Sequence, residues 1–190
     1  MGKRAVINEL SLVAKHMKDL FGLCVIALAT SVLVVGVSFA ASAMTPTIKT
    51  IPDFEKMKSL VGEWQGKSVD GKTAKVSYTL VSDNSALMEK LAMGGESEMV
   101  TMYHPDGDHL MMTHYCSAHN QPRMRAQKVS MDAKNIVFDL VDVTNLSTPD
   151  AGHMKKLVLT FADQDHFTQE WTWGEKGKEN TVAIRFERMK

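Results

Sequence analysis

From Gly62 to the C-terminus the chain alternates apolar and polar residues with a period of two, and residues that favour turns interrupt the alternation at short intervals. The breaks fall at Asp70-Gly71, Asp83-Asn84, Gly94-Gly95, Pro105-Asp106-Gly107, Ser117 to Pro122, Asp132-Ala133, Asn145 to Gly152, Asp163-Gln164-Asp165 and Gly174 to Gly177. Nine breaks delimit ten short strands. Gly and Asn in several of them supply the positive φ that tight hairpins require. Strands that follow one another without helices between them form a meander, and closing the meander removes its exposed edges. The expected fold is therefore all-β, an antiparallel ten-stranded up-and-down barrel able to enclose a ligand. A β-sandwich would need longer crossovers, for which only Asn145 to His153 is a candidate.

The alternation assigns faces. Val76, Tyr78 and Leu80 oppose Lys75, Ser77 and Thr79, and Val182, Ile184 and Phe186 oppose Ala183, Arg185 and Glu187. The middle strands, Met99 to Tyr103 and Leu110 to Thr113, are apolar on both faces, so an exterior patch or a homodimer contact is expected there. Ahead of the strands, Asp53 is placed to N-cap a short helix in which Phe54, Met57, Leu60 and Val61 recur at helical spacing. That helix is positioned to plug one end of the barrel.

The N-terminal region has the parts of a secretory signal: basic Lys18, an apolar run from Leu20 to Ala40, and the small residues Ala41-Ser42-Ala43. Cleavage after Ala43 is expected, with Met17 an alternative start that gives a more ordinary signal. The domain plan is then 1–43 signal peptide, 44–53 linker and 54–190 barrel, in a periplasmic or secreted protein free of the membrane after cleavage. The alternative is an uncleaved anchor, since the apolar run approaches the roughly 20 residues that span a bilayer.

Cleavage removes Cys24 and leaves Cys116 alone, so no internal disulfide is available and the core must hold the fold. It also removes four basic and two acidic residues from 22 of each, leaving a slightly acidic chain. A nucleic-acid partner would call for a basic surplus, so none is expected.

The opening of the β region, Leu60-Val61-Gly62-Glu63-Trp64-Gln65-Gly66, carries the Gly-x-Trp that resembles the first strand of lipocalins, fatty-acid-binding proteins and nitrobindin-like haem barrels. The resemblance implies that Gly62 and Trp64 close one end of the barrel, with Arg185 or Arg188 of the last strand over the indole. The longer stretch from Phe54 to Arg188 resembles the uncharacterised bacterial DUF1579-type families, through Thr113-His114-Tyr115-Cys116 and Asn120-Gln121-Pro122-Arg123-Met124. It implies a lipocalin-like barrel and no settled activity.

The segment from Thr113 to Arg125 is the densest polar and reactive cluster, and the expected ligand-binding residues are Glu89, His114, Tyr115, Cys116, Asn120, Gln121, Arg123 and Arg125. On a strand His114 and Cys116 share a face. Arg123 and Arg125 share one with Val129 and Met131; turned inward, they would need an anionic partner, either a ligand carboxylate or phosphate or Glu89, which Leu87 and Leu91 flank. His114, Cys116 and His119 could instead hold zinc, or Cys116 could act as a nucleophile; the same residues also suit a buried thiol beside structural hydrogen bonds. A haem would need one axial histidine, for which His114, His153 and His166 are the donors, and twelve methionines after Ala43 suit either an adaptable wall or a packed core. A copper site would need those methionines and histidines set in a tight motif, and they are scattered over the strands. The expected function is binding of a small apolar or amphipathic molecule in the lumen. A haem- or metal-dependent enzyme and a structural envelope protein are the alternatives, and the sequence names no cofactor.

Overall fold

A computed structural model of the chain describes residues 51–127 and 134–190. The expected signal peptide, most of the 44–53 linker, the Asp132-Ala133 turn, Val129 and Met131 lie outside the described residues. One helix, α1 (Pro52–Lys58), precedes ten strands: β1 (Gly62–Ser68), β2 (Thr73–Val81), β3 (Ala86–Met93), β4 (Met99–Asp106), β5 (His109–Tyr115), β6 (Gln121–Ala126), β7 (Asn135–Thr144), β8 (His153–Phe161), β9 (His166–Glu175) and β10 (Lys178–Arg188). Each strand pairs antiparallel with its neighbours in sequence, and β10 returns to pair with β1, from Trp64 opposite Arg188 to Ser68 opposite Ile184. The sheet is a closed barrel, as the ten units and their short turns predict.

Alternation decides what is inside. Ala74, Val76 and Tyr78 of β2, Leu87 and Leu91 of β3, Leu110 and Met112 of β5, Ile136 and Phe138 of β7, and Ile184 and Phe186 of β10 are all buried. Charged residues take the alternate positions, among them Lys75, Lys90, Arg123, Arg125, Asp139, Arg185 and Glu187. An apolar inside and a charged outside is the reverse of a barrel that sits in lipid. Exceptions lie on β3 and β4, where Met88 and Met102 face each other across the ladder on the outer wall with Val100 beside them, and on β7 and β8, where Val137 faces Val158, all half-buried.

The helix begins two residues earlier than its polar signal suggests. Pro52 occupies the first helical position, where its fixed φ suits the helix and its missing N–H costs nothing. Ile51 precedes it and no side chain caps the end, so the expected Asp53 cap is corrected; Asp53 and Glu55 lie inside the first turn, at the positive end of the helix. Phe54 and Met57 are buried, and with Leu60 they close this end of the barrel.

Trp64 and Arg188 lock that end. The indole N–H of Trp64 donates to the carbonyl of Leu60 at 2.7 Å. The Arg188 guanidinium lies 4.0 Å from the centre of the Trp64 ring and donates to the carbonyls of Val61 (2.9 Å), Ser59 (2.8 Å) and Gln164 (3.1 Å). Gly62 has φ of +126°, and a Cβ there would come 3.1 Å from Arg188 Nη1, so glycine serves both the backbone and the arginine's approach. Arg185 is corrected as the residue over the indole: it takes the parity opposite to Ile184 and Phe186 and stands exposed on the outer wall, across from Lys67.

Arg188 touches both ends of the barrel chain and Arg185 touches neither. Arg188→Ala is expected to lower unfolding free energy by about 1–3 kcal/mol, as charged hydrogen bonds and a ring contact are lost. Arg185→Ala should stay within about 0.5 kcal/mol. Equilibrium denaturant unfolding of the two variants measures both.

Candidate functional site

The interior contains one belt of polar side chains, built by the register. Tyr78 of β2 lies directly across from Glu89 of β3, Glu89 from Thr101 of β4, and Thr101 from His114 of β5. Four adjacent strands thus present four polar groups in a row at one height of the inner wall. Tyr103, the next inward residue of β4, donates its hydroxyl to Glu89 Oε2 at 2.9 Å. From the other side of the lumen, Gln169 of β9 reaches Tyr78 and the same carboxylate oxygen (2.7 and 3.0 Å).

The polarity of the belt follows from a donor that cannot reverse. An indole N–H only donates, so Trp171 Nε1, 2.9 Å from Gln169 Oε1, fixes that atom as the amide oxygen. Gln169 Nε2 must then face Tyr78 and Glu89 and give one hydrogen to each. Tyr78 also hydrogen-bonds to Glu89. The carboxylate oxygen Oε1 meets Thr101 Oγ1 at 3.3 Å, and the same hydroxyl lies 2.9 Å from His114 Nδ1. Trp171 packs on the His114 ring with centroids 4.7 Å apart.

Glu89 and Gln169 are completely buried, and Thr101 and His114 nearly so. Burial raises the carboxyl of Glu89 above its ordinary value, while hydrogen bonds from Tyr78, Tyr103, Thr101 and Gln169 pull it back. Burial also pushes both tyrosines well above their ordinary range, with the neighbouring carboxylate adding to it. The same desolvation lowers His114 to about 4, so its imidazole is neutral at physiological pH. His114 Nε2 is buried and has no hydrogen-bond partner.

A second such atom lies close by in sequence, at the end of the barrel away from α1. Asn120, 3% exposed, donates from Nδ2 to the carbonyl of Gly152 at 2.9 Å, which ties the 116–120 turn to the 145–152 connection, while its Oδ1 is buried without a partner. The connection is seated firmly: Asn145 donates to the carbonyl of His119 and His153 Nδ1 to that of Ala151 at 2.8 Å. Gly152 lies so close to the Trp173 ring that a Cβ would fall 2.1 Å from it.

Of the residues expected at a site, Glu89, His114 and Asn120 are inside and Cys116 is half-buried against the core. The inward placement of the arginines is corrected. Met124 and Ala126 take the buried parity of β6, leaving Arg123 and Arg125 exposed. Arg123 makes a bidentate pair with Asp142 on the outer wall, where each holds the other charged. Tyr115, 50% exposed, and Gln121, which accepts from Thr144 at 2.9 Å, also belong to the outside. His119 stands exposed in a turn with φ of +63°, and no group of three His, Cys, Asp or Glu suited to a metal occurs among the described residues, so the His114, Cys116, His119 triad is corrected too. His166 is exposed beside Asp163. Tyr78, Thr101, Tyr103, Gln169 and Trp171 were missed. The signal for two of them was present, since Thr101 and Gln169 are polar residues on otherwise apolar parities, Met99 to Tyr103 and Phe167 to Trp171.

The methionine and aromatic walls expected of a lumen are there, and they meet one another. Tyr103, Leu110, Met112, Met124, Phe138 and Leu157 expose no surface at all, so side chains fill the barrel around and below the belt. Half-buried Met93, Cys116, Leu140, Met154 and Val182 pack against this core. A concavity of about 670 Å³ lies over the outer wall of β10, β1, β2 and β3, between Lys67, Lys75, Ala92 and Arg185.

A closed barrel with an apolar interior is the class of architecture these features define, and it is one compatible with ligand binding. No family model matches the chain and no curated protein matches it. Among solved structures it is similar to a protein of unknown function from the DUF3598 family of Nostoc punctiforme PCC 73102, with 13% identity and a TM-score of 0.50 over 70% of this chain and 49% of that one. The likeness shows the fold alone, and the chain spans about half the length of that protein. EF1p2_mFAP2b bound to DFHBI matches more loosely, with 9% identity and a TM-score of 0.34 over 72% of this chain and 98% of that one.

The lowered value of His114 has a definite sign. Its neutral form is favoured in the fold, so the stability it contributes is present above about 6.5 and is lost as pH falls from there toward 4, by up to about 1.4 kcal/mol per pH unit. The raised value of Glu89 works in the opposite direction, adding stability on acidification through its folded value. His114→Phe should therefore flatten the acid limb of stability and Glu89→Gln should steepen it, as read by denaturant midpoints between pH 7 and pH 4.

Proposed function

We propose that this chain is an exported, periplasmic or secreted binding protein that holds a small apolar or amphipathic molecule at the end of the barrel away from α1, with no catalysis. The observation that carries the proposal is that two of the three buried side-chain polar atoms without a partner among the described residues, His114 Nε2 and Asn120 Oδ1, lie toward this end, the third being His109 Nδ1 at the start of β5. A buried polar group without a partner costs about 1–3 kcal/mol, and a protein that keeps two of them near one end gains that back when a ligand meets them. The polar end of the ligand contacts these atoms. Its apolar body lies among Met93, Met154, Leu140 and Val182, where flexible thioethers can make way. Arg123, paired with Asp142, and Arg125, both exposed outside, have no part in it.

Export rests on Lys18, the apolar run and Ala41-Ser42-Ala43. Kinship with the DUF1579-type, lipocalin-like families rests on Gly62-Glu63-Trp64 and on the Thr113 to Met124 segment. A second reading has one specific support. A metal-bound histidine usually has its other ring nitrogen held by a hydrogen bond backed by a carboxylate, and His114 Nδ1 is so held through Thr101 and Glu89. That arrangement suits a haem or metal on Nε2, with the side chains beside it displaced.

Native mass spectrometry of the protein purified from its own envelope, compared with its denatured mass, tests both. Extra mass lost on denaturation is expected, from a chain beginning at Met44, and it should disappear in His114→Phe and Asn120→Leu. A Soret band would move the conclusion to haem. A bare mass, with no rise in melting temperature on adding apolar alcohols or amides, would sink the binding function.

A further inference from the structure

The Glu89, Thr101, His114 row has a property that the contacts determine. Glu89 Oε2 receives hydrogens from Tyr103 and Gln169, and the indole of Trp171 prevents the Gln169 amide from turning round. The hydroxyls of Tyr78, Tyr103 and Thr101 can act either way, and of these Thr101, which meets Oε1, is the one whose other contact is His114 Nδ1. When the carboxylate is ionised it must accept, so Thr101 donates to it and accepts in turn from His114 Nδ1–H. Nε2 is then a bare lone pair. When the carboxyl is protonated at Oε1 it donates to Thr101, which then donates to Nδ1, and Nε2 carries the hydrogen.

We propose that Glu89 sets the tautomer of His114 through Thr101, so that the buried Nε2 takes a hydrogen-bond donor when Glu89 is ionised and an acceptor when it is protonated. Interconversion takes up one proton from water or ligand at Nε2. The Nδ1 proton passes to Thr101 Oγ1, and the Thr101 proton passes to Glu89 Oε1. The histidine is neutral at the start and at the end, and the added proton rests on the carboxyl. The groups facing this row come from five strands: Tyr78, Glu89, Thr101 and Tyr103, His114, and Gln169 with Trp171. Of these only Glu89 and His114 titrate below the tyrosine range, burial holding Tyr78 and Tyr103 protonated.

Resting on the binding function proposed above, the relay names the ligand class: an uncharged, mostly apolar molecule offering a single N–H or O–H. A carboxylate is disfavoured, since it would meet a lone pair with Glu89 two hydrogen bonds behind it. Acidification turns the site round and releases the donor ligand, without moving the backbone.

Nitrogen-15 NMR of His114 in the protein as isolated from its host cells decides the relay. In Glu89→Gln the amide oxygen must stay with Tyr103 and Gln169, so its NH2 faces Thr101 and the row is fixed in the second arrangement. We expect a pyridine-like Nε2 in the wild type at neutral pH, a pyrrole-like Nε2 in Glu89→Gln, and a wild-type switch between them on acidification. Thr101→Val should disconnect the tautomer from residue 89. The same tautomer in wild type and Glu89→Gln, or one unmoved by pH in the wild type should the variant not fold, would overturn the relay. Indole, which only donates, and quinoline, which only accepts, probe the ligand class: the wild type should favour indole by about tenfold and Glu89→Gln should reverse the order. If the tautomer switches while neither probe binds, the relay stands and the binding function falls.

Discussion

Once β10 closes on β1, the side chains that point into the barrel are largely cut off from water, and this exclusion governs the rest of the molecule. An apolar side chain gains from it. A carboxylate at the centre does not, and Glu89 persists there because three strands besides its own bring hydrogen-bonding groups to it: Tyr78, Tyr103 and Thr101, and Gln169 across the lumen. The belt therefore does two structural things at once. It satisfies a group that would otherwise destabilise the core by several kcal/mol, and it connects strands that the ladder leaves apart. Gln169 and Glu89 are 80 residues apart in the chain, and their hydrogen bond spans the lumen rather than the sheet.

The two ends of the barrel are closed by different means. At the α1 end Trp64 is engaged with Leu60 and Arg188 with three carbonyls, while one buried polar atom, His109 Nδ1, lacks a partner. At the other end two polar atoms are unengaged beneath a connection held by a few hydrogen bonds. Substitutions at the first end act on folding.

Much of the fold was legible because a strand's period and its turns are local properties. Asp70-Gly71 or Gly94-Gly95 announces a hairpin without reference to anything distant, and Leu87, Glu89 and Leu91 share a face by geometry alone. Where the sequence misled, it did so through residues beyond the strand. Val129 and Met131 suggested an inward face for Arg123 and Arg125, but β6 ends at Ala126, and Met124 and Ala126 within it determine the parity. The pairing of Arg123 with Asp142 likewise depends on a bulge in the β6 and β7 ladder that has no signature in either strand alone. Gln169 and Trp171 escaped notice for the converse reason, since their partners lie on the other side of the lumen. A local pattern gives the face of a residue; what stands opposite it is a property of the closed structure.

The lock between Trp64 and Arg188 also orders events in time. Trp64 lies in the first strand to be synthesised and Arg188 in the tenth. Until β10 is free, β1 is an open edge, the indole has no cation above it, and the carbonyls of Ser59 and Val61 lack their donor. A partly delivered chain can form hairpins, which need only neighbours, but it cannot form the barrel. A chain cut short before Arg188 is marked by the edge it cannot cover.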